Sequence, residues 1–174
     1  RVGSSDPVEL RTSLDELVDG FDLSKFGAAP TKFDVQDVFP LTARHLQSLA
    51  LADVADHVAA LGVPDDMAHD FWMVARDNIT TLADLQGWWN VIHQGADPII
   101  ATEDAEFVGQ AMALLPDGPF DGETWGTWTK AVKAKTGRKG RALFMPLRKA
   151  LTGLDHGPDM ARLLPLLQNI KRTL

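Results

Sequence analysis

Residues 124–153 read TWGTWTKAVKAKTGRKGRALFMPLRKALTG and contain two helix patterns separated by glycine. The apolar positions that recur at helical spacing are Trp125, Trp128 and Val132 in the first pattern and Leu143, Leu147 and Leu151 in the second, with Phe144 beside them. Gly137 and Gly153 follow the two patterns, where a helix commonly ends in a left-handed residue. Pro146 fits the second helix only in its first turn or at a kink. The stretch therefore predicts two helices that each face a core.

The same stretch carries eight of the chain's 17 Lys and Arg and neither Asp nor Glu. The rest of the chain holds nine basic residues against 24 acidic ones, so a chain of net charge −7 contains a strongly basic segment in an acidic background. Like charges at this density repel one another unless water solvates them, acidic neighbours face them or a polyanion binds them. Charge alone leaves all three explanations open, and a solvated face is the commonest one.

Three cations surround the predicted start of the second helix, namely Arg138, Lys139 and Arg141. A helix N-terminus carries about half a positive charge and favours anions, so these cations repel both it and one another. A phosphate held by the backbone N–H groups and by these side chains would remove the repulsion. Arg148 follows Arg141 by seven residues and extends the basic surface along one side of the helix.

The composition excludes several kinds of site. The absence of Cys rules out disulfides, thiolate nucleophiles, iron–sulfur clusters and cysteine-type zinc sites, and it agrees with a reducing cytoplasm. The five His lack the spacing of metal ligands, so we expect no metal. We find no signal peptide and no run of about 20 apolar residues, and expect no membrane association. The sequence begins with Arg1 and not Met, so we expect it to be part of a longer protein.

The remaining sequence gives helix signals throughout and no alternating strand pattern. Ser13 with Glu16 has the spacing of a capping box, Thr42 is a candidate helix cap, and Gly62 sits where a helix should end. The predicted fold class is therefore all-α. A length of 174 residues allows one globular unit or two small ones.

The middle of the chain predicts two helices that meet near residues 78–81. Trp88 and Trp89 belong to the second, and we interpret them as packing residues rather than a ligand site, because buried aromatic pairs are more often structural. Farther on, PDGPFDG at residues 116–122 contains two Pro and two Gly, which predicts a hinge.

Three segments together resemble a known family. TGRKGRALFMPLRKALTG followed by GPDMARLLPLL is similar to the C-terminal anticodon-binding region of bacterial glutamyl-tRNA synthetases, particularly those of α-proteobacteria. SLDELVDGFDLSKFGAAPTKFD resembles the segment just beyond the KMSKS-type loop of those enzymes. RDNITTLADLQGWW resembles their first anticodon-binding subdomain. The resemblance covers nearly the whole chain, and the LFxPLRxALTG-type block is its most specific part.

The resemblance implies the tRNA-binding portion of a class I aminoacyl-tRNA synthetase, built as an all-α helical bundle or cage. The implied parts are residues 1–40 as the end of the stem-contact region and a linker, 41–116 as a first helical anticodon-binding subdomain, and 117–174 as a second. The parent enzyme attaches glutamate to tRNA using ATP and Mg²⁺. We find no HIGH-like or KMSKS-like sequence, so we expect no catalytic residue and no cofactor in this chain, and a catalytic domain upstream of Arg1. The implied protein is a cytoplasmic monomer.

The resemblance also implies site residues. The family's Arg in the PLR element, which contacts the anticodon, matches Arg148. Gly157, Pro158 and Met160 match its small, proline and apolar positions, where backbone and shape hold an unstacked base. The cations at the helix start, Arg138, Lys139 and Arg141, are then the expected phosphate contacts.

The sequence departs from the family at the arginine that discriminates the third anticodon base. That position falls near Asn78, with Arg76 two residues away. The expected partner is therefore tRNA(Glu), with tRNA(Gln) as a second candidate.

Two other hypotheses come from different classes of protein. The first is an all-α protein-interaction module whose basic face docks on an acidic partner. The second is a helical bundle that binds a small molecule through its Trp-rich core. Only generic features support either one. Without the resemblance, Arg148 would be read as a partner of Asp155 or Asp159.

Overall fold

The computed structural model describes residues 3–4, 6–7, 9–28, 30 and 34–171. Within these ranges the chain forms α-helices and short 3₁₀ turns without a named β-strand, which confirms the all-α prediction. The helices are α1 (Leu14–Asp19), α2 (Phe39–Ser48), α3 (Leu51–Ala60), α4 (Asp65–Ala75), α5 (Leu85–His93), α6 (Ala105–Met112), α7 (Thr124–Thr136), α8 (Arg141–Thr152) and α9 (Met160–Leu163). No helix in the described ranges is long and apolar enough to cross a membrane.

Local sequence signals account for several helix ends. Ser13 Oγ accepts a hydrogen bond of 3.2 Å from a backbone N–H in the first turn of α1. Gly137 and Gly153 end α7 and α8 with φ of +71° and +67°, a backbone region that glycine adopts without strain. The prediction that Thr42 caps a helix is wrong. α2 begins three residues earlier with Pro40 in its first turn, where proline is favoured, so Thr42 lies inside the helix.

An apolar core extends from α2 to the turn that follows α9. Its largest buried side chains include Phe71, Trp72 and Trp128. The buried indole N–H groups have acceptors: Trp72 Nε1 donates to a backbone carbonyl at 3.1 Å and Trp128 Nε1 donates to the Ala111 carbonyl at 2.8 Å. The core therefore contains large aromatic side chains without leaving these polar atoms unpaired.

The N-terminal region is packed less closely than the rest. The exposed large hydrophobic side chains of the described residues are mostly found here: Leu14, Leu17, Val18, Phe21, Leu23, Val35, Val38 and Phe39. In the part of the chain that the structure describes, the apolar face of α1 thus stays open to solvent.

The segment after α9 packs on α5 and the loop that follows it. The Gln168 amide donates to the Ile92 carbonyl at 2.9 Å. Gly95, at φ +77°, lies so close to Asn169 that a Cβ would stand 2.7 Å from the Asn169 carbonyl oxygen. These contacts join the two predicted helical subdomains, whose exact bounds stay a prediction.

Candidate nucleic-acid interface

The side chain of Trp88, on α5, connects predicted site residues from both halves of the chain. Its Nε1 donates to the Asn78 carbonyl at 3.3 Å. The far edge of its ring lies against Gly157, where a Cβ would stand 2.4 Å from Trp88 Cη2. Trp88 is buried, as the packing interpretation expected. The structure thus brings Asn78 and Gly157 to one indole ring.

Arg148, on α8, lies beside the same glycine. Its Nη2 donates to the Pro158 carbonyl at 2.9 Å. Its Nη1 stands 3.4 Å from the position that a Gly157 Cβ would take, and this nitrogen is buried without a hydrogen-bond partner in the described part of the chain. An unpaired buried donor costs about 1–3 kcal/mol, so an acceptor that reaches Nη1 would gain from pairing with it.

The electrostatics of Arg148 agree with its partial burial. Burial disfavours the charged guanidinium and lowers the pKa of Arg148, while the nearby charge of Asp159 acts in the opposite direction. Asp159 forms no hydrogen bond with Arg148; its carboxylate caps α9 and accepts from the Ala161 amide at 2.7 Å. The alternative of a direct Arg148–Asp159 ion pair is therefore not what the structure contains.

Arg76 and Asn78 lie in the 3₁₀ turn that continues α4. Asn78 Nδ2 donates to the Val74 carbonyl at 3.2 Å. Arg76 Nε is buried and, like Arg148 Nη1, lacks a hydrogen-bond partner among the described residues. Its nearest carboxylate oxygen, on Asp77, is 3.7 Å away. The first half of the chain, within the described ranges, thus also contains a buried guanidinium N–H without a hydrogen bond, beside the charge of Asp77.

Arg138 is engaged inside the protein. Its Nη1 forms an ion pair with Asp104, and its guanidinium stands 4.1 Å from the centroid of the Phe107 ring. The same nitrogen donates to the Ala142 carbonyl at 3.3 Å. Pro146, four residues later, has no N–H, so this carbonyl lacks the helical hydrogen bond that would come from that position. Arg138 therefore ties α8 to the turn before α6 and pairs a carbonyl that the proline leaves free.

Lys139 and Arg141 are exposed, and neither has a hydrogen bond or ion pair through its side chain in the described ranges. They are the two helix-start cations that are free to meet an anion. Pro158 and Met160, in contrast, are buried, and Met160 exposes only 4% of its surface within the core. Their predicted contact with a base stays a prediction, as does phosphate binding by Arg138.

Trp88 and Asp159 belong to this site, although the predicted site residues do not include them. The available signal was Gly157, which lies in a loop before a proline and marks a close approach of another group to the backbone. The sequence does not show that the approaching group is a tryptophan 69 positions earlier in the chain.

Known proteins resemble the chain in both sequence and structure. The family model described as the anticodon binding domain matches residues 53–171. Glutamate–tRNA ligase 1 of Roseobacter denitrificans is 67% identical over 98% of this chain, and glutamate–tRNA ligase 1 of Ruegeria pomeroyi is 64% identical over the same share. The chain spans 39% of the length of each relative.

A solved structure has the same fold. The crystal structure of glutamate–tRNA synthetase from Elizabethkingia anophelis matches 90% of this chain and 33% of its own chain, with a TM-score of 0.67 at 20% identity. The resemblance to glutamyl-tRNA synthetases found in the sequence is confirmed. Because the family model of the anticodon binding domain matches more than half of the chain's residues, the chain belongs to that family.

Proposed function

We propose that this chain is the anticodon-binding part of a glutamate–tRNA ligase and that it binds tRNA(Glu) through the surface around Arg148. The observation that carries the proposal is the half-buried guanidinium of Arg148, which has one donor fixed on the Pro158 carbonyl and a second donor, Nη1, without a partner. Single-stranded loops are read by such fixed donors together with shape, because their splayed bases expose acceptors. Arg76 Nε offers a similar donor in the first half of the chain.

The wider activity belongs to the same proposal. The parent enzyme would attach glutamate to tRNA in the cytoplasm as a monomer, and tRNA(Gln) would be a second substrate if the turn at Arg76 and Asn78 tolerates both third anticodon bases. The chemical step would use ATP and Mg²⁺ in a catalytic domain outside this chain. Among the described residues there is no group of three or more His, Asp or Glu side chains that could hold a metal ion.

Binding of a tRNA(Glu) transcript and of an anticodon-swapped transcript, measured across a salt series, tests the proposal. Arg148→Ala should weaken binding of tRNA(Glu) by roughly 1–3 kcal/mol and should reduce the preference over the swapped tRNA. Lys133→Ala, at an exposed position of α7, is the matched control and should change both tRNAs equally. An equal loss for both tRNAs in Arg148→Ala would remove base readout from this residue.

The alternative of a protein-interaction module predicts a different result for the same chain. If the basic face docks on an acidic protein, a nuclease-treated pulldown should recover that protein, and the purified chain should bind neither transcript at any salt concentration. Such a result would replace the RNA proposal.

A further inference from the structure

A groove of about 590 Å³ lies between the loop before α6 and one side of α8. It is lined by Ile99, Ile100, Met145 and Pro146, with cations at its margin. It includes neither Arg148 nor the residues that meet at Trp88, namely Asn78 and Gly157. The groove is thus a second surface on α8, distinct from the surface around Arg148.

Both ends of the groove are fixed by internal contacts. The Ile99 amide donates to the Lys149 carbonyl at 3.2 Å, which ties the loop to α8. Gly153 approaches the same loop so closely that a Cβ would stand 2.8 Å from the Asp97 carbonyl oxygen. At the other end, the ion pair between Arg138 and Asp104 links the two walls. The groove is therefore formed before any ligand arrives.

The groove alternates charge and apolar surface. Ile99 exposes 56% of its surface, although its backbone amide is held by the Lys149 carbonyl. Arg141 and Lys149 flank this floor, and neither side chain has a hydrogen bond or ion pair among the described residues. They are eight residues apart on one helix, which separates their Cα atoms by about 12 Å along its axis, so the floor lies between their two backbone positions. Of the two acids at the groove, Asp104 is paired with Arg138, while Glu103 is exposed.

We propose that this groove receives one unstacked nucleotide of a single-stranded RNA. The base would lie on the aliphatic floor, and the phosphates on its two sides would pair with Arg141 and Lys149. A nucleotide within a strand has this order of phosphate, base and phosphate, which matches the order of cation, apolar floor and cation. An aliphatic floor accepts any base, so the groove adds affinity without sequence preference. This inference rests on the proposed function that the chain binds RNA.

Alkylation of one introduced thiol tests where the RNA lies. The chain has no Cys, so Ile99→Cys creates a single thiol in the groove at an exposed position. A tRNA(Glu) anticodon stem–loop at about ten times its Kd should slow alkylation by about tenfold, because about nine-tenths of the grooves are then filled. Ala55→Cys, exposed on α3, is the control and should react at an unchanged rate. Equal protection by a free nucleoside monophosphate at the same concentration would overturn the assignment to a strand.

The salt dependence of binding tests the two cations. Arg141→Gln and Lys149→Gln should each flatten the log–log salt slope by about 0.7 and weaken cognate and anticodon-swapped tRNA equally. Lys130→Gln, exposed on α7 and outside the groove, should leave the slope unchanged. The groove proposal alone would be refuted if RNA left the alkylation rate of Ile99→Cys unchanged and both Gln variants left the salt slope unchanged, while Arg148→Ala still reduced anticodon preference. No RNA binding by the unmodified chain would refute the proposed function as well.

Discussion

Replacing Gly157 with alanine perturbs the contact that joins the two halves of the candidate site. The added Cβ would stand 2.4 Å from Trp88 Cη2 and 3.2 Å from Cζ2, well inside contact distance. The backbone at Gly157 has φ +131°, a region that alanine rarely adopts. Both the side chain and the backbone therefore oppose this substitution.

The expected loss can be worked out from the two terms. A non-glycine residue in a sparsely populated backbone region costs about 1–3 kcal/mol, and forcing a methyl group into a packed site costs about 1–3 kcal/mol. Trp88 can relieve the overlap only by moving, which would weaken its hydrogen bond to Asn78, worth about 1 kcal/mol. We expect Gly157→Ala to lower the free energy of unfolding by roughly 2–6 kcal/mol, a large part of the stability of a typical domain.

Urea unfolding followed by circular dichroism and tryptophan fluorescence measures this loss. Gly126→Ala is the matched control, because Gly126 lies inside α7 with no atom within 4 Å of its would-be Cβ. Alanine should stabilise that helix position by up to about 1 kcal/mol. If Gly157→Ala unfolds at the same urea concentration as the unmodified chain, the Trp88–Gly157 contact does not hold the site together, and the reasoning from it fails.

Three further substitutions test other contacts. Arg138→Lys keeps a charge but loses the planar fork, so it should lower the free energy of unfolding by roughly 1–2 kcal/mol in urea; an unchanged free energy of unfolding would mean that the ion pair with Asp104 does not need the fork. Trp128→Phe removes the indole donor from the buried Ala111 carbonyl, which keeps the Leu114 amide at 2.9 Å, and should cost about 1 kcal/mol by the same assay, whereas a neutral result would mean that water replaces the indole. The Thr81 backbone N–H holds the pKa of Asp84 below its ordinary 3.8, so the stabilisation that Asp84 provides is present above that pH and is lost as the pH falls through the lower folded value. The difference in free energy of unfolding between the unmodified chain and Asp84→Asn should therefore narrow in acid, and a difference that widens would contradict this sign.

The features that could be predicted from the sequence are those that one residue type specifies locally. Gly137 and Gly153 end their helices because glycine alone enters the left-handed region without strain. Ser13 caps α1 because its hydroxyl reaches an amide three residues away. Thr42 shows the limit of such signals, since a proline two residues before it provides a competing helix start.

The partners of the cations could not be predicted, because they depend on contacts distant in the sequence. Asp104 meets Arg138 across 34 positions, and Trp88 meets Gly157 across 69. The charge pattern treats Arg138, Lys139 and Arg141 as one group at a helix start. The fold divides them, because only Arg138 is close enough to the turn before α6 to reach a carboxylate.

This division assigns different cations of the basic stretch to different explanations. Acidic neighbours account for Arg138, and solvent accounts for the exposed lysines of α7. A guanidinium has five N–H donors. The donors of Arg138 pair with one carboxylate and two carbonyls, and its guanidinium lies over an aromatic ring. Arg148 instead makes one hydrogen bond, and its Nη1 is buried without a hydrogen-bond partner in the described part of the chain. Neither solvent nor the described acidic residues therefore pair with Nη1 of Arg148. Under the proposed function, an RNA base or phosphate that reached this nitrogen beside Gly157 would be its acceptor.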